Sequence, residues 1–251
     1  RGYGRTLTLA DGTHTVCVTF VNVGEGSTQP AICQDVLVRH LPLGPPPSFK
    51  RVPGGLVVYG WALDLDTTQP ISAKVLVDGV AGSPVEASVA RTDVAAAYPG
   101  YGAPHGFATA PLDLKAGVHK VCVTGINATG STGADTVLGC ANVTISHNPV
   151  GSVPAVVVRS TGVTVSGWAI DQDSAKPVSV LLLLDGHGAA RLTANLARPD
   201  LAARYGAYGT AHGWSKLLRP PHGTHTVCLR ADNLAGTAGT ASSLGCKTFR
   251  S

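Results

Sequence analysis

An internal repeat constrains the fold of this chain more than any other feature of its sequence. The segment 60–66 (GWALDLD) recurs as 167–173 (GWAIDQD), and the segment 91–101 recurs as 198–208. The period between these copies is 107 residues, and it falls to 106 after a one-residue deletion. Because self-similarity at a fixed period marks repeated structural units, we predict an array of similar domains.

The second half of the repeat unit occurs three times. The pattern Gly-x-His-x-Val-Cys stands at 12–17, 117–122 and 223–228, and the segment 1–3 aligns with 212–214. Position 1 therefore falls inside a repeat. Half a sandwich would leave a sheet edge open, so we expect an upstream domain or a partner chain to complete the first repeat. The expected order is the C-terminal part of an incomplete β-sandwich repeat at 1–40, a Pro-rich linker at 41–53, a complete repeat at 54–146, a linker at 147–155 and a complete repeat at 156–251.

Residue usage favours an all-β fold. Val and Thr favour β-strands, and the 31 Gly and 17 Pro residues are typical of the turns between short strands. In the first complete repeat we predict one short helix at 93–98, with Asp93 (and Asp200 in the next repeat) as a candidate N-cap. Strands are predicted at 56–63, 73–77, 85–90, 106–112, 119–125 and 136–145. The fold predicted is therefore all-β, with tandem Ig/fibronectin-like β-sandwich repeats, one short helix per repeat and one disulfide-linked hairpin per repeat.

The six cysteines fall into one pair per repeat unit. Turn residues lie near the middle of each interval, so the two cysteines of a pair fall opposite each other on adjacent antiparallel strands. A metal site is the alternative, but the sequence has no C-x-x-C. We therefore predict disulfides, no metal and no cofactor, and an oxidising compartment, so that the protein is secreted or at the cell surface. The paired residues are Cys17 with Cys33, Cys122 with Cys140, and Cys228 with Cys246.

The repeated motifs resemble those of a known class of module. Gly-Trp-Ala-Leu-Asp-x-Asp, Val-Asp-Gly, Arg-x-Asp-Val-Ala-Ala-x-Tyr and His-Gly-Phe are similar to Ig-like accessory repeats of secreted actinobacterial proteins, which often follow cell-wall or carbohydrate hydrolase domains. The resemblance covers about nine-tenths of the chain and implies an accessory, non-catalytic role. Separately, 114–123 resembles the tyrosine-corner region of fibronectin-like sandwiches, with His119 where that family places Tyr. An imidazole N–H could replace the hydroxyl.

Four residues are the candidate binding residues. Tyr101 and His105, and likewise Tyr208 and His212, belong to a Gly-rich loop that we expect to be exposed, where an aromatic–polar cluster would suit a sugar or a peptide. The alternative is that these side chains pack the loop against its own sandwich.

Other repeated polar residues have structural interpretations that we favour. His14, His119 and His225 start a strand and would make a hydrogen bond there. Asp64 with Asp66, and Asp171 with Asp173, would form Asx-turns, although carboxylates could also hold calcium. Trp61 and Trp168 would pack in the core.

The function predicted is a non-catalytic extracellular accessory region that targets or spaces a partner domain at a cell wall or polysaccharide. A net charge of +4 is too weak for a nucleic-acid surface, and no apolar run is long enough to span a bilayer. No nucleophile or phosphate-loop motif is present. The alternatives are a structural stalk or surface-assembly subunit, and a C-terminal fragment of a secreted hydrolase whose catalytic domain lies upstream.

Overall fold

A computed structural model describes residues 2–38, 40–131 and 133–251. Arg1, at which the alignment of the first unit begins, lies outside the described residues. Two compact units divide the chain: the first is Arg1–Pro46, Gly60–Phe107 and Cys122–Cys140, and the second is Pro47–Tyr59, Ala108–Val121 and Ala141–Ser251. No helix in the described part of the chain is long and apolar enough to cross a membrane.

Short strands dominate the structure. The first two form a separate hairpin and are β1 (Gly12–Val18) and β2 (Ile32–Val38). The elements that follow are β3 (Ser48–Val52), β4 (Gly55–Trp61), β5 (Ser72–Val77), β6 (Val80–Ala81), β7 (Val85–Glu86), β8 (Val89–Ala90), α1 (Thr92–Ala97), β9 (Pro104–Ala108), β10 (Gly117–Gly125) and β11 (Thr136–Ile145).

The remaining elements follow a similar order. They are β12 (Val150–Gly151), β13 (Ala155–Arg159), β14 (Gly162–Ile170), β15 (Ser179–Leu184), β16 (His187–Thr193), β17 (Leu196–Ala197), a 3-10 turn (Pro199–Leu201), α2 (Ala202–Tyr205), a second 3-10 turn (Gly206–Tyr208), β18 (Ala211–Leu218), β19 (Thr224–Ala231) and β20 (Ser242–Arg250).

The C-terminal repeat is a β-sandwich. One sheet has the order β12-β14-β18-β17, with β13 also paired to β14, and the other has the order β16-β15-β19-β20. Apolar side chains of both sheets enter one core, among them Val165 and Trp214 from the first sheet and Leu182 and Leu229 from the second. Alternation of buried and half-buried residues along β14 and β15 produces this face. The corresponding strands of the preceding repeat form sheets in the orders β3-β4-β9-β8 and β11-β10-β5-β6, with β7 paired to β5.

The three disulfides are present with the predicted pairing. Cys17 is bonded to Cys33, Cys122 to Cys140, and Cys228 to Cys246. The antiparallel register of β1 with β2, and of β19 with β20, places the bonded cysteines directly opposite each other. The chain is therefore all-β, with tandem sandwich repeats and one bridged hairpin per repeat.

Several local expectations differ from the structure. The segment predicted as one strand at 85–90 is two short strands, β7 and β8, that pair in different sheets. Strand β3 (Ser48–Val52) occupies part of the segment predicted as a linker and pairs with β4. The N-cap prediction for Asp93 and Asp200 is wrong, because each lies within the first turn and neither side chain caps it.

Those two aspartates instead pair with the arginine two residues earlier. Arg91 donates to Asp93 from Nε and Nη2 at 2.8 and 2.6 Å, and Arg198 donates to Asp200 in the same way at 2.7 and 2.6 Å. This bidentate contact lowers the pKa of Asp93 to about 2 and also lowers the pKa of Asp200. The short helical segment therefore begins with an arginine–aspartate ion pair rather than a side-chain cap.

Candidate functional site

The predicted Tyr/His loop is folded inward in the first complete repeat. Tyr101 donates its hydroxyl to the Leu65 carbonyl oxygen at 2.9 Å, and His105 Nε2 donates to the Tyr101 carbonyl oxygen at 3.0 Å. His105 is fully buried and Tyr101 is half-buried. The Trp61 ring lies 5.9 Å from the Tyr98 ring, measured between centroids. The expected exposure of this loop is therefore wrong for the histidine.

The second complete repeat has the same network. Tyr208 donates to the Gln172 carbonyl oxygen at 2.9 Å, and His212 Nε2 donates to the Tyr208 carbonyl oxygen at 2.8 Å. Both side chains are buried, and burial raises the pKa of Tyr208 to about 12. Trp168 packs against Tyr205 at 5.1 Å between ring centroids. Both tryptophans are half-buried against their helix rather than central in the core.

The chemistry open to the two buried histidines is limited. A carbonyl oxygen only accepts, so Nε2 must carry the proton in both rings, and the neutral tautomer leaves Nδ1 as an acceptor. Nδ1 of His105 and of His212 is buried with no hydrogen-bond partner among the described residues. The hydrogen bond from each imidazole ring to the tyrosine carbonyl oxygen holds the loop in this conformation. Binding through these four side chains remains a prediction, and it would require the loop to open.

The glycine that follows each histidine is required by packing. A Cβ atom on Gly106 would lie 2.8 Å from the Val89 carbonyl oxygen, and one on Gly213 would lie 2.9 Å from the Leu196 carbonyl oxygen. Such distances are shorter than real Cβ contacts. The repeated His-Gly pair is therefore explained by the close approach of neighbouring strands.

The repeated aspartates join two loops. Asp64 Oδ1 accepts from the Asp66 amide at 3.0 Å, and Asp171 Oδ1 accepts from the Asp173 amide at 2.9 Å, which confirms the Asx-turn interpretation. The second oxygen of each accepts from the following hairpin, at the amides of Ala128 (2.9 Å) and of Leu234 (3.0 Å). Asp64 and Asp171 are fully buried. No group of three or more metal-binding side chains occurs among the described residues.

The strand-start histidines make the hydrogen bond expected of them. Nε2 of His14, His119 and His225 donates to the carbonyl oxygen four residues earlier, at 2.7, 2.9 and 2.8 Å. The imidazole N–H therefore makes the structural hydrogen bond that the sequence predicted for these three residues. In the last repeat, His225 Nδ1 also contacts Asp185 Oδ2 at 2.7 Å, and this hydrogen bond raises the pKa of His225 and lowers that of Asp185.

A third set of functional side chains was missed by the sequence reasoning. His147 stands at the start of the predicted second linker and is buried. Its Nδ1 lies 2.8 Å from Asp173 Oδ1, and its Nε2 lies 2.9 Å from the Leu114 carbonyl oxygen. Arg51 Nη2 donates to the same Asp173 oxygen at 3.1 Å. Leu114 belongs to the predicted repeat 54–146, Arg51 to the predicted linker before it and Asp173 to the predicted repeat 156–251. The contacts of His147 therefore connect residues of both repeats. We call the set His147, Asp173, Arg51 and the Leu114 carbonyl the second junction.

A related contact occurs one period earlier. His40 and His147 are 107 residues apart, as are Asp66 and Asp173. His40 Nδ1 contacts Asp11 Oδ1, and its Nε2 lies 3.9 Å from Asp66 Oδ1. The hydrogen bond with Asp11 raises the pKa of His40. We call His40, Asp11 and Asp66 the first junction. The period itself was the signal that could have identified both histidines, but His40 is the last residue of the segment assigned to the incomplete repeat and His147 is the first residue of the second predicted linker.

An open groove of about 680 Å³ lies beside the Asx-turn of the first unit. Polar residues contribute much of its lining, including Asp66, Gln69, Asn127 and Ser131. The groove is wide enough for a small polar ligand such as part of a sugar chain. Of these lining residues, Asp66 and Gln69 are exposed, and Asn127 and Ser131 are half-buried.

Comparisons with known proteins identify no family. No family model matches the chain, and no curated protein matches it. Solved structures that align include the central fibronectin-III array of RIM-binding protein (11% identity, 84% of this chain and 68% of that chain, TM-score 0.27) and the fibronectin(III)-like modules of Clostridium thermocellum CbhA (13%, 78% and 90%, 0.23). Another is the Bacteroides ovatus glucan-utilization protein SGBP-B in complex with a mixed-linkage heptasaccharide (12%, 96% and 53%, 0.35). Likenesses this weak carry no argument about function.

Proposed function

We propose that this chain is a non-catalytic accessory region of a secreted protein, in which sandwich repeats space a partner domain at a cell wall or polysaccharide. The observation that carries the proposal is the second junction. A buried histidine, an aspartate and an arginine join one repeat to the next where a free linker would need no side-chain contact. Side chains that restrict a connection reduce its conformational freedom and favour a defined spacing.

The use of the repeated polar residues supports an accessory role over an enzymatic one. His105, His212, Asp64 and Asp171 are buried and bonded to main-chain atoms of their own repeat. Each occurs at the same place in both complete repeats, which suits a structural element better than a single active site. The three disulfides support an oxidising compartment and therefore secretion.

The spacing role can be tested by measuring a distance distribution across the second junction. Spin labels on ketone-bearing residues at Val118 and Leu217, both exposed, avoid the cysteines. We expect a narrow distribution in the parent chain and a broader one in His147→Ala. The exposed substitution His187→Ala is the matched control and should leave the width unchanged. An equally broad distribution in the parent chain would contradict a spacing role.

Targeting is a separate part of the proposal, and the groove beside Asp66 is the second candidate for it. Retention of the protein on purified cell wall and on a panel of insoluble glycans tests it directly. We expect Gln69→Ala, in the groove, to weaken retention, and Tyr101→Phe with Tyr208→Phe to leave it unchanged. If the tyrosine variants lose retention instead, the Tyr/His loop is the binding site. If no glycan retains the parent chain, a structural stalk is the better description.

The third possibility, a fragment of a secreted hydrolase, concerns the parent protein. It is compatible with spacing and targeting because an accessory region can follow a catalytic domain. The intact mass and peptide map of the natural protein would distinguish it from a free-standing stalk.

A further inference from the structure

The groove beside Asp66 is lined by polar side chains that the fold does not use. Gln69 and Thr129 are exposed and Ser72 is half-buried, and these three side chains make no hydrogen bond to a described residue. The carboxylate of Asp66 lies 3.9 Å from His40 Nε2, beyond hydrogen-bond distance. A few polar groups in the lining of a groove orient a bound ligand, and these groups are available for that purpose.

In the last repeat, an ion pair occupies the positions equivalent to one wall of this groove. Arg191 Nη1 donates to Ser179 Oγ at 3.1 Å and also pairs with Asp232. Ser179 aligns with Ser72, and Asp232 aligns with Ile126, which both line the groove. The main chains match, because the amide of Ile126 donates to the Ser72 carbonyl at 2.8 Å and that of Asp232 to the Ser179 carbonyl at 2.9 Å. Side chains rather than backbone therefore distinguish the two repeats here.

Other differences between the two complete repeats change the same groove. The position of the arginine is occupied by Pro84 in the first complete repeat, so the ion pair cannot form there. Lys176 stands at the position of Gln69, and Ala235 at the position of Thr129. An amide and a hydroxyl in the first complete repeat are therefore an ammonium and a methyl group in the last. The hydrogen-bonding groups of the groove belong to one repeat only.

The lining of the groove indicates the charge of its ligand. Asp66 is the only ionisable side chain among the described lining residues, so the groove offers no cation to a phosphate or carboxylate group. A single carboxylate near the surface also contributes little to the binding of an ammonium group. Carboxylate, amide and hydroxyl groups together can accept from and donate to the hydroxyl groups of a sugar. The chemistry therefore favours an uncharged ligand that is rich in hydroxyl groups.

We propose that the groove beside Asp66 binds an uncharged, polyhydroxylated glycan and that the equivalent position of the last repeat does not. The inference rests on the targeting role proposed above. It narrows the ligand from cell walls and polysaccharides in general to glycans without phosphate, carboxylate or amine groups. It also makes binding by the two complete repeats monovalent, so that recognition belongs to one repeat although the sandwich itself is repeated.

Retention of the full chain on insoluble glycans tests the ligand class. Cellulose, chitin, curdlan and starch are the uncharged probes, and cross-linked carboxymethyl-cellulose, chitosan and purified cell wall are the charged ones. We expect retention on at least one uncharged glycan, with less than about a twofold change when salt is raised, because no ion pair is screened. Retention on charged probes alone overturns this inference and leaves targeting intact. If no wall and no glycan retains the chain, the targeting role itself fails.

Exchanges of side chains between the two repeats test the location of the site. Gln69→Lys with Thr129→Ala gives the groove the residues of the last repeat and should weaken retention at least about tenfold, because two hydrogen-bonding groups are lost. Lys176→Gln with Ala235→Thr is the matched control and should leave retention unchanged. All four positions are exposed, so we expect both variants to fold. Equal retention by the two variants overturns the proposed site.

A second variant and a spectroscopic measurement complete the test. Pro84→Arg with Ile126→Asp introduces the ion pair of the last repeat and should abolish retention, while an unchanged thermal midpoint shows that the fold is intact. NMR titration of the parent chain with a soluble fragment of the retained glycan should shift the amides of 66–72 and 126–131. The amides of 173–179 and 232–237 should not move. Equal shifts in both repeats overturn the proposal.

Discussion

The two junctions place a histidine at the same point of the repeat and use it differently. At the second junction, His147 is buried and its two nitrogens face a carboxylate and a main-chain carbonyl, both of which only accept. At the first junction, His40 contacts Asp11, and Asp66 lies farther away, at 3.9 Å. The alignment explains part of the difference, because Asp11 corresponds to Ala116 in the next repeat. A repeated residue therefore keeps its place while its partners depend on neighbours that do not repeat.

The largest effect should come from Asp173→Ala. This change leaves the buried His147 and the partly buried Arg51 without their carboxylate, which should cost about 3 kcal/mol of unfolding free energy. Urea denaturation followed by the fluorescence of Trp168 and Trp214 measures it. Asp66→Ala is the matched change at the first junction and should cost much less. Equal losses would show that the two junctions are energetically alike.

A smaller effect is expected for His147→Ala. The variant loses two hydrogen bonds and leaves the Leu114 carbonyl without this donor, so about 2 kcal/mol should be lost. His147→Gln, which retains one donor, should recover part of the loss. The same denaturation assay measures both variants. If alanine and glutamine are equivalent to the parent, the buried contacts at this histidine contribute nothing to stability.

The first junction should differ from the second in its response to pH. Asp11 raises the pKa of His40 above its usual 6.5, so the contribution of this contact is fully present below about pH 6.5 and is lost as the pH rises through the higher folded-state value. NMR titration of the His40 ring should give a midpoint above 6.5, and Asp11→Asn should lower it. A midpoint that is the same in both proteins would remove Asp11 as the cause.

The smallest effect is expected for Arg51→Met. Arg51 Nε and Nη1 are buried without partners among the described residues, which offsets the gain from the contact of Nη2 with Asp173. Replacement by an apolar side chain of similar length should therefore change the unfolding free energy by less than about 1 kcal/mol. A loss as large as that of Asp173→Ala would show that the guanidinium, rather than His147, holds the aspartate.

Features with a local or periodic cause could be predicted from the sequence. The cysteine pairs follow from hairpin turns near the middle of each interval, and β11 occupies the predicted range 136–145. The hydrogen bond of each strand-start histidine follows from a fixed spacing of four residues. These features depend on few residues that lie close in sequence, which is why a single sequence was sufficient.

Features that depend on distant contacts could not be predicted. The residue pattern at 85–90 indicates an extended backbone, but nothing local specifies that β7 and β8 pair in different sheets. The Tyr/His loop is polar and Gly-rich, and only the carbonyl oxygens of Leu65 and Gln172 explain how its tyrosine hydroxyls are satisfied inside. The composition of 41–53 suggested a linker, whereas pairing with β4 makes part of it a strand.

The bridged hairpins have a consequence for the chain under tension. A disulfide between opposed strands carries force directly from one cysteine to the other, so the intervening segment is never pulled straight. With separations of 18 residues in the two complete repeats, about 60 Å of extended length per repeat stays hidden. A tether made of such repeats would lengthen in shorter steps when it is oxidised than when it is reduced. Its reach would then depend on the redox state of its surroundings.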